Sequence, residues 1–235
     1  MQMLLTLAAE KPLCIPMNYN YQLQSSIYSK LAELDLSDFW HDDGFGENQT
    51  FKMFTFSPLR GTYRISDKKI CFEGEIVFEI RSPIFEFCDE LQRCIEMNPS
   101  IKLFDTNLSI INASLTNCHI NEGSAIFSAA SPIIVHSITE DRKTEFYFPH
   151  DDCFIERLIK NYKNKYESVY TGDAPDIDIE ILNEGKKVVT NYKGIWLNGN
   201  KCELAVKGNW YALVFLYDSG FGEKNSQGFG FVDLK

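Results

Sequence analysis

Positive charge is scarce in this chain: 23 lysines and arginines face 33 aspartates and glutamates, for a formal net charge of −10 over 235 residues. Non-specific nucleic-acid coats draw their affinity from Lys and Arg neutralising phosphates, so this balance excludes one; any polyanion site must be a local patch. Long apolar runs are missing too. The opening Met1-Gln2-Met3-Leu4-Leu5-Thr6-Leu7 is too short to span a bilayer and lacks the basic flank of a signal peptide, so it reads as a strand of a soluble protein with no membrane partner. The seven cysteines, at 14, 71, 88, 94, 118, 153 and 202, form no C-x-x-C pair. An odd, evenly spread set does not suggest a disulfide framework and points to the reducing cytoplasm. Cys88 and Cys94 fall in an apolar helical stretch and read as small buried thiols. Neither H-E-x-x-H nor a spaced Cys/His set occurs, and consecutive residues such as His41-Asp42-Asp43 rarely converge on one ion. Neither a metal nor another cofactor is expected.

What is present is a large core: 44% of residues are hydrophobic and 14% aromatic. Met3, Leu5 and Leu7 alternate as a strand, and Tyr21 to Leu34 carries Leu23, Ile27, Leu31 and Leu34 at helical spacing. After a polar loop from Ser37 to Thr50, Phe51 to Ser57 reads as extended. Ile70, Phe72, Ile76, Phe78 and Ile80 alternate with charged residues along a long strand. Ser82 as N-cap and Pro83 at the first position open a second helix that runs to about Met97, and Ile101 to Leu115 is strand-like. The second half repeats the plan: strands at Ala125 to Ile138 and Thr144 to Phe148, then a helix capped by Asp151 or Asp152 and running to about Tyr170. Strands follow at Ile177 to Leu182, Lys187 to Trp196, Trp210 to Tyr217 and Phe229 to Leu234. This order suggests two βαββαβ units in tandem, an α+β plan, with the junction near residues 116–124.

One segment is unusual. Gly220-Phe221-Gly222-Glu223-Lys224-Asn225-Ser226-Gln227-Gly228-Phe229-Gly230 packs four glycines, two aromatics and a lysine between apolar runs. It reads as a backbone cradle for phosphate, with Lys224 supplying charge and Asn225 and Ser226 short donors. It is neither a dinucleotide fingerprint, which needs glycine where Asn225 stands, nor a Walker loop, since Phe229 follows Gly228.

Of the four histidines, His119, His136 and His150 sit in or beside expected strands or caps and read as structural or surface residues. His41 lies in the polar turn Trp40-His41-Asp42-Asp43-Gly44-Phe45, where an imidazole can meet a ligand. Such a group suits RNA cleavage by its own 2′-hydroxyl, which needs a base, an acid and charge stabilisation. Tyr28 lies about 100° around the helix from Ile27, on the flank of its apolar stripe. Lys52 is the one cation in the apolar run Phe51-Lys52-Met53-Phe54.

Together these segments resemble the CRISPR-associated repeat-processing endoribonucleases of the RAMP superfamily. The marks are Pro16 to Ser25 with Ile27-Tyr28, the His41 to Phe45 turn, Phe51 to Ser57, Ser131 to Val135, Tyr147-Phe148-Pro149 and the Gly220 to Gly230 loop. The resemblance implies two tandem ferredoxin-like (RRM-like) domains, 1–118 and 119–235, the first with the catalytic residues and the second with a C-terminal glycine-rich RNA-binding loop. It implies metal-independent cleavage of precursor transcripts within their repeats, leaving 2′,3′-cyclic phosphate and 5′-hydroxyl ends. It assigns catalysis to His41, as general base or general acid, with Tyr28 aiding proton transfer and Lys52 countering charge. RNA binding falls to Gly220, Gly222, Lys224, Asn225, Ser226, Gly228 and Gly230, with basic patches at Arg60, Arg64, Lys68, Lys69 and the Arg157 to Lys165 helix. The expected partner is CRISPR repeat RNA; assembly as a homodimer or with other CRISPR-associated effector subunits stays open. A rival reading is a non-cleaving RNA-binding subunit of an effector complex, separated from the first by whether repeat RNA is cut in EDTA.

Overall fold

The computed structural model describes residues 1–34, 40, 44–46, 50–120 and 123–235. The chain begins with β1 (Gln2–Ala8) and β2 (Leu13–Pro16), then α1 (Asn20–Leu31), β3 (Thr55–Phe56), β4 (Arg60–Ser66), β5 (Lys69–Arg81) and α2 (Phe85–Met97), and then the hairpin β6 (Ser100–Leu103) and β7 (Thr106–Thr116). It continues with β8 (Gly123–Ala129), the short pair β9 (His136–Ile138) and β10 (Thr144–Phe146), α3 (Phe154–Val169), β11 (Ile177–Tyr192), β12 (Ile195–Gly208), α4 (Trp210–Ser219) and β13 (Val232–Leu234).

The first sheet has seven strands centred on β5, which pairs antiparallel with β1, β2, β3 and β4, while β7 joins β1 to β6. Alternation drives it. Met3, Leu5 and Leu7 of β1 lie opposite Ile80, Phe78 and Ile76 of β5, and all six are buried. Leu23, Ile27 and Leu31 of α1 and Phe87, Leu91 and Ile95 of α2 bury their stripes in the same core. The second sheet runs β11-β12-β8-β13, also antiparallel, with Leu204 and Val206 of β12 facing the core beside Phe127 of β8. Both sheets are thus antiparallel, and the fold is α+β.

The halves are joined through Arg81 at the end of β5. Its side chain is 1% exposed and stacks over the rings of Tyr217 and Phe231, 3.6 and 3.8 Å from their centroids. Its Nε lies 2.5 Å from Oε1 of Glu79, and Nη1 donates to the Val232 carbonyl at 2.6 Å.

Several expectations are corrected. Trp210 to Tyr217 is helix, not strand: Asn209 caps it, its Oδ1 accepting from the Ala212 N–H at 2.9 Å. A run that is apolar all round has no period to separate buried helix from buried strand. Lys187 to Trp196 is strand broken by a tight turn at Lys193 and Gly194: β11 runs unbroken from Ile177 to Tyr192, and β12 starts at Ile195 and continues to Gly208, beyond the expected end. Phe51 to Ser57 contributes only β3, and Ala125 to Ile138 breaks between β8 and β9 around Ser131 and Pro132. The second helix starts at Phe85, two residues later than expected, with Ser82 Oγ accepting from the Ile84 N–H. The third starts at Phe154, after Cys153, while Asp151 accepts from the Phe148 N–H. One disulfide is present, against the expectation: Cys14 of β2 stands opposite Cys71 of β5 and is bonded to it. The two are 57 residues apart in sequence, and only sheet register brings them together.

Candidate active site

A cleft of 430 Å³ opens where α1 and residues 50–54 of the first half meet α3 and the segment after α4. Tyr28 and Lys52 both line it. Tyr28 sits one residue past buried Ile27, and its ring meets Phe54 edge-on at 5.6 Å, which fixes the phenol at the flank of the stripe. Beside Lys52, Met53 takes a left-handed backbone, φ 47°, with its own side chain buried. His41, with Asp42 and Asp43, lies outside the described residues.

The glycine segment forms the opposite wall through Gly222, Lys224, Asn225 and Ser226. Gly220, Gly222, Gly228 and Gly230 all have positive φ. Two of them allow no side chain on steric grounds: a Cβ at Gly230 would fall 1.9 Å from the Phe221 carbonyl oxygen, and one at Gly222 2.4 Å from that of Ile134. Much of the segment's amide inventory is spent inside the protein. Phe221 N–H donates to Gly230, Glu223 N–H to Ile134 and Gly230 N–H to Pro132. The Asn225 side chain is likewise internal, its Nδ2 donating to the carbonyls of Phe221 and Phe229 at 3.0 and 3.1 Å. Asn225 to Gln227 form a single 3-10 turn, whose first N–H groups have no intrahelical acceptor. Lys224, left-handed at φ 60°, precedes it. The glycines therefore shape a tightly folded wall that presents Lys224 and Ser226, more than a ribbon of open amides. Asn20 of α1 ties the wall to the first half, its Nδ2 donating to the Gln227 and Gly228 carbonyls at 3.2 and 3.3 Å.

Three residues of the cleft were not expected there: Lys165, which the sequence places only in a basic helix patch, and two others. Lys165 continues the buried stripe of α3 after Phe154, Leu158 and Tyr162, and is itself only 3% exposed. Its Nζ donates to the Gly220 carbonyl at 2.5 Å and to Asn225 Oδ1 at 3.2 Å. Burial pulls its pKa down to about 7, with the Glu223 charge acting in the opposite direction. A lysine at a stripe position was the available signal. His136 and Glu223 are the other two, with His136 Nδ1 2.5 Å from Glu223 Oε2. They are 87 residues apart, and nothing local links them.

Arg60 and Arg64 stand elsewhere, on exposed β4, and neither lines the cleft. Arg60 Nη2 donates to Asp233 Oδ1 at 2.6 Å, and Arg64 Nε lies 3.4 Å from Glu73. Among the described residues no group of three His, Cys, Asp or Glu side chains could hold a metal ion, and no helix is long and apolar enough to cross a membrane.

These features define an α+β protein with two antiparallel sheets, whose two halves meet at a lysine-lined cleft. Residues 14–114 match the family model described as CRISPR-associated protein Cas6, N-terminal, and residues 115–234 the one described as CRISPR associated protein Cas6, C-terminal. The chain belongs to the Cas6 family of CRISPR-associated endoribonucleases, RAMP proteins of precursor-crRNA processing. It is similar to CRISPR-associated endoribonuclease Cas6 1 of Methanocaldococcus jannaschii, 29% identical over 224 residues that cover 93% of this chain and 86% of that one. Among solved structures, one described as the characterization of a Cas6-related gene from Pyrococcus furiosus superposes with a TM-score of 0.86 at 26% identity, covering 100% of this chain and 98% of that one. Another, described as an RAMP protein binding different RNA substrates, shares the fold with a TM-score of 0.84 at 24% identity, covering 100% and 99%.

Proposed function

We propose that the protein is a metal-independent endoribonuclease that cuts CRISPR precursor transcripts within their repeats, in the cleft between α1 and the glycine segment. One observation carries this reading: Tyr28 and Lys52 from the first half share a 430 Å³ cleft with Lys165, Lys224 and Ser226 from the second. A related fold is described as binding different RNA substrates, which supports repeat RNA as the ligand. The division of labour follows two ferredoxin-like units, about 1–118 and 119–235, the first catalytic and the second RNA-binding. The strand orders β4-β5-β1-β7 and β11-β12-β8-β13, each with two helices, support that plan.

In the reaction the 2′-hydroxyl loses its proton to a base and its oxygen attacks the adjacent phosphorus. The bond from phosphorus to the 5′-oxygen breaks, and that oxygen takes a proton from an acid. A 2′,3′-cyclic phosphate and a 5′-hydroxyl result. His41 is assigned one of the two proton transfers, and the Tyr28 hydroxyl assists. The Lys52 ammonium stabilises charge on the phosphorane, a contribution that for one such donor is about 10²–10³-fold. Lys224 and Ser226 hold the strand.

The test is incubation of the pure protein with repeat RNA in EDTA, with chemical identification of the product ends. Cyclic phosphate ends that disappear when the scissile nucleotide is 2′-deoxy support the reading; uncut RNA that is still bound tightly overturns it in favour of a binding subunit. His41→Ala should slow cleavage at least about a hundredfold without loss of folding.

A further inference from the structure

Beside the cleft that holds Tyr28 and Lys52 lies a second groove of 260 Å³, and the two share His136, Asn161 and Glu223 as a common wall. The second groove is otherwise lined by Ser137 and Ile138 of β9 and by Arg157, Lys160 and Asn164 of α3. On α3, Arg157, Lys160, Asn161, Asn164 and Lys165 fall at i, i+3, i+4, i+7 and i+8, so a single helical face borders both spaces. In a chain of net charge −10, the one carboxylate among the described residues lining either space is Glu223, and it is already held against His136.

The groove is also set in advance of any ligand. The Arg157 guanidinium lies 4.0 Å over the Tyr147 ring, and its Nη2 meets the Tyr147 hydroxyl at 3.2 Å. That hydroxyl in turn meets Glu145 at 2.8 Å and Ser137 at 2.9 Å. A stacked, planar guanidinium loses little freedom on meeting a phosphate. Oδ1 of Asn161, at the shared wall, has no donor among the described residues, and a ribose 2′-hydroxyl supplies one.

We propose that this second groove holds the RNA strand on one side of the scissile phosphate, with Arg157 and Lys160 taking backbone phosphates and Asn161 a sugar hydroxyl where the strand passes between the two spaces. The inference rests on the endoribonuclease reading for the position of the scissile phosphate. Among the described residues, the groove's lining includes no Phe, Tyr or Trp on which a base could stack. The strand is therefore gripped by its backbone there, and base changes on that flank are tolerated.

The test measures binding of the full chain to repeat RNA made uncleavable by a 2′-deoxy scissile nucleotide, over a range of salt. Three ligands are used: the whole repeat and two RNAs, each truncated on one side of the scissile position. Lys160→Gln, on an exposed side chain that leaves folding intact, should lower the slope of log affinity against log salt by about 0.7, and Arg157→Ala with Lys160→Gln by about 1.4. The double variant should bind the whole repeat about tenfold more weakly at moderate salt. That deficit should persist with one truncated RNA and vanish with the other. Unchanged binding throughout, or the same loss with both truncated RNAs, overturns the inference. If the wild-type protein leaves an unmodified repeat uncut in EDTA, the cleavage reading fails while this binding result stands by itself.

Discussion

Nη1 of Arg81 donates to the carbonyl oxygen of Val232 across 2.6 Å, and this contact sews the last strand of the second sheet to the central strand of the first. The guanidinium is sandwiched between Tyr217 and Phe231, with Glu79 as its counter-charge. Removing one member of a buried pair leaves the other uncompensated, at a cost of about 3–5 kcal/mol. Arg81→Ala should lower the urea midpoint accordingly. Arg81→Lys should recover little of the loss, because an ammonium reproduces neither the stacking nor the fork of donors.

Lys52→Ala should lower the cleavage rate by about 10²–10³-fold at saturating RNA, with a smaller loss for Lys52→Arg. Tyr28→Phe keeps the ring against Phe54 and removes only the hydroxyl, so its effect should fall on the rate and spare stability. Single-turnover kinetics beside thermal melts separate the two. A Tyr28→Phe protein as fast as wild type removes Tyr28 from proton transfer.

Gly230→Ala places a methyl group 1.9 Å from the Phe221 carbonyl oxygen at a φ of +68°. The left-handed backbone alone costs about 1–2 kcal/mol for a residue with a Cβ. The contact cannot be relieved without moving the wall that carries Lys224. RNA affinity should fall together with stability, read by filter binding and by melting.

The buried Lys165 makes stability depend on pH. Its folded pKa, about 7, lies below the ordinary 10.5. Between those values the unfolded chain holds a proton that the folded chain has released, so this group's contribution to stability rises with pH from about 7 to about 10.5 and is flat below 7. Lys165→Met should remove that part of the slope, measured by urea unfolding at several pH values. It should also loosen the Gly220 and Asn225 contacts and weaken RNA binding.

The Cys14–Cys71 bridge closes a sequence separation of 57 residues between β2 and β5. Its loss typically costs about 2–4 kcal/mol. Cys14→Ser should melt lower than the oxidised protein and lose the response to dithiothreitol that the wild type shows.

What the sequence disclosed was what is local. The alternation in β1 and β5, the stripe of α1, and the position of Tyr28 on its flank follow from spacing alone, and the glycine segment announces itself by composition. Trp210 to Ser219 carried no period, and its cap signal, Asn209, is one residue in an otherwise apolar stretch. The other partners in the cleft are matters of tertiary placement. Lys165 reaches the segment after α4 from 55 residues away, and Cys14 meets Cys71 only through register. The internal use of the Phe221, Glu223 and Gly230 amides was hidden for a related reason: composition shows that glycines are needed, but not whether their freedom serves a ligand or a close backbone crossing.

The Asn20 bonds to the Gln227 and Gly228 carbonyls bring α1 and the glycine wall together from opposite ends of the chain. Fragments produced separately on either side of residue 118 would each present one bank and no channel. Mixing the two in solution offers a route to switch the cleft on by reassembly.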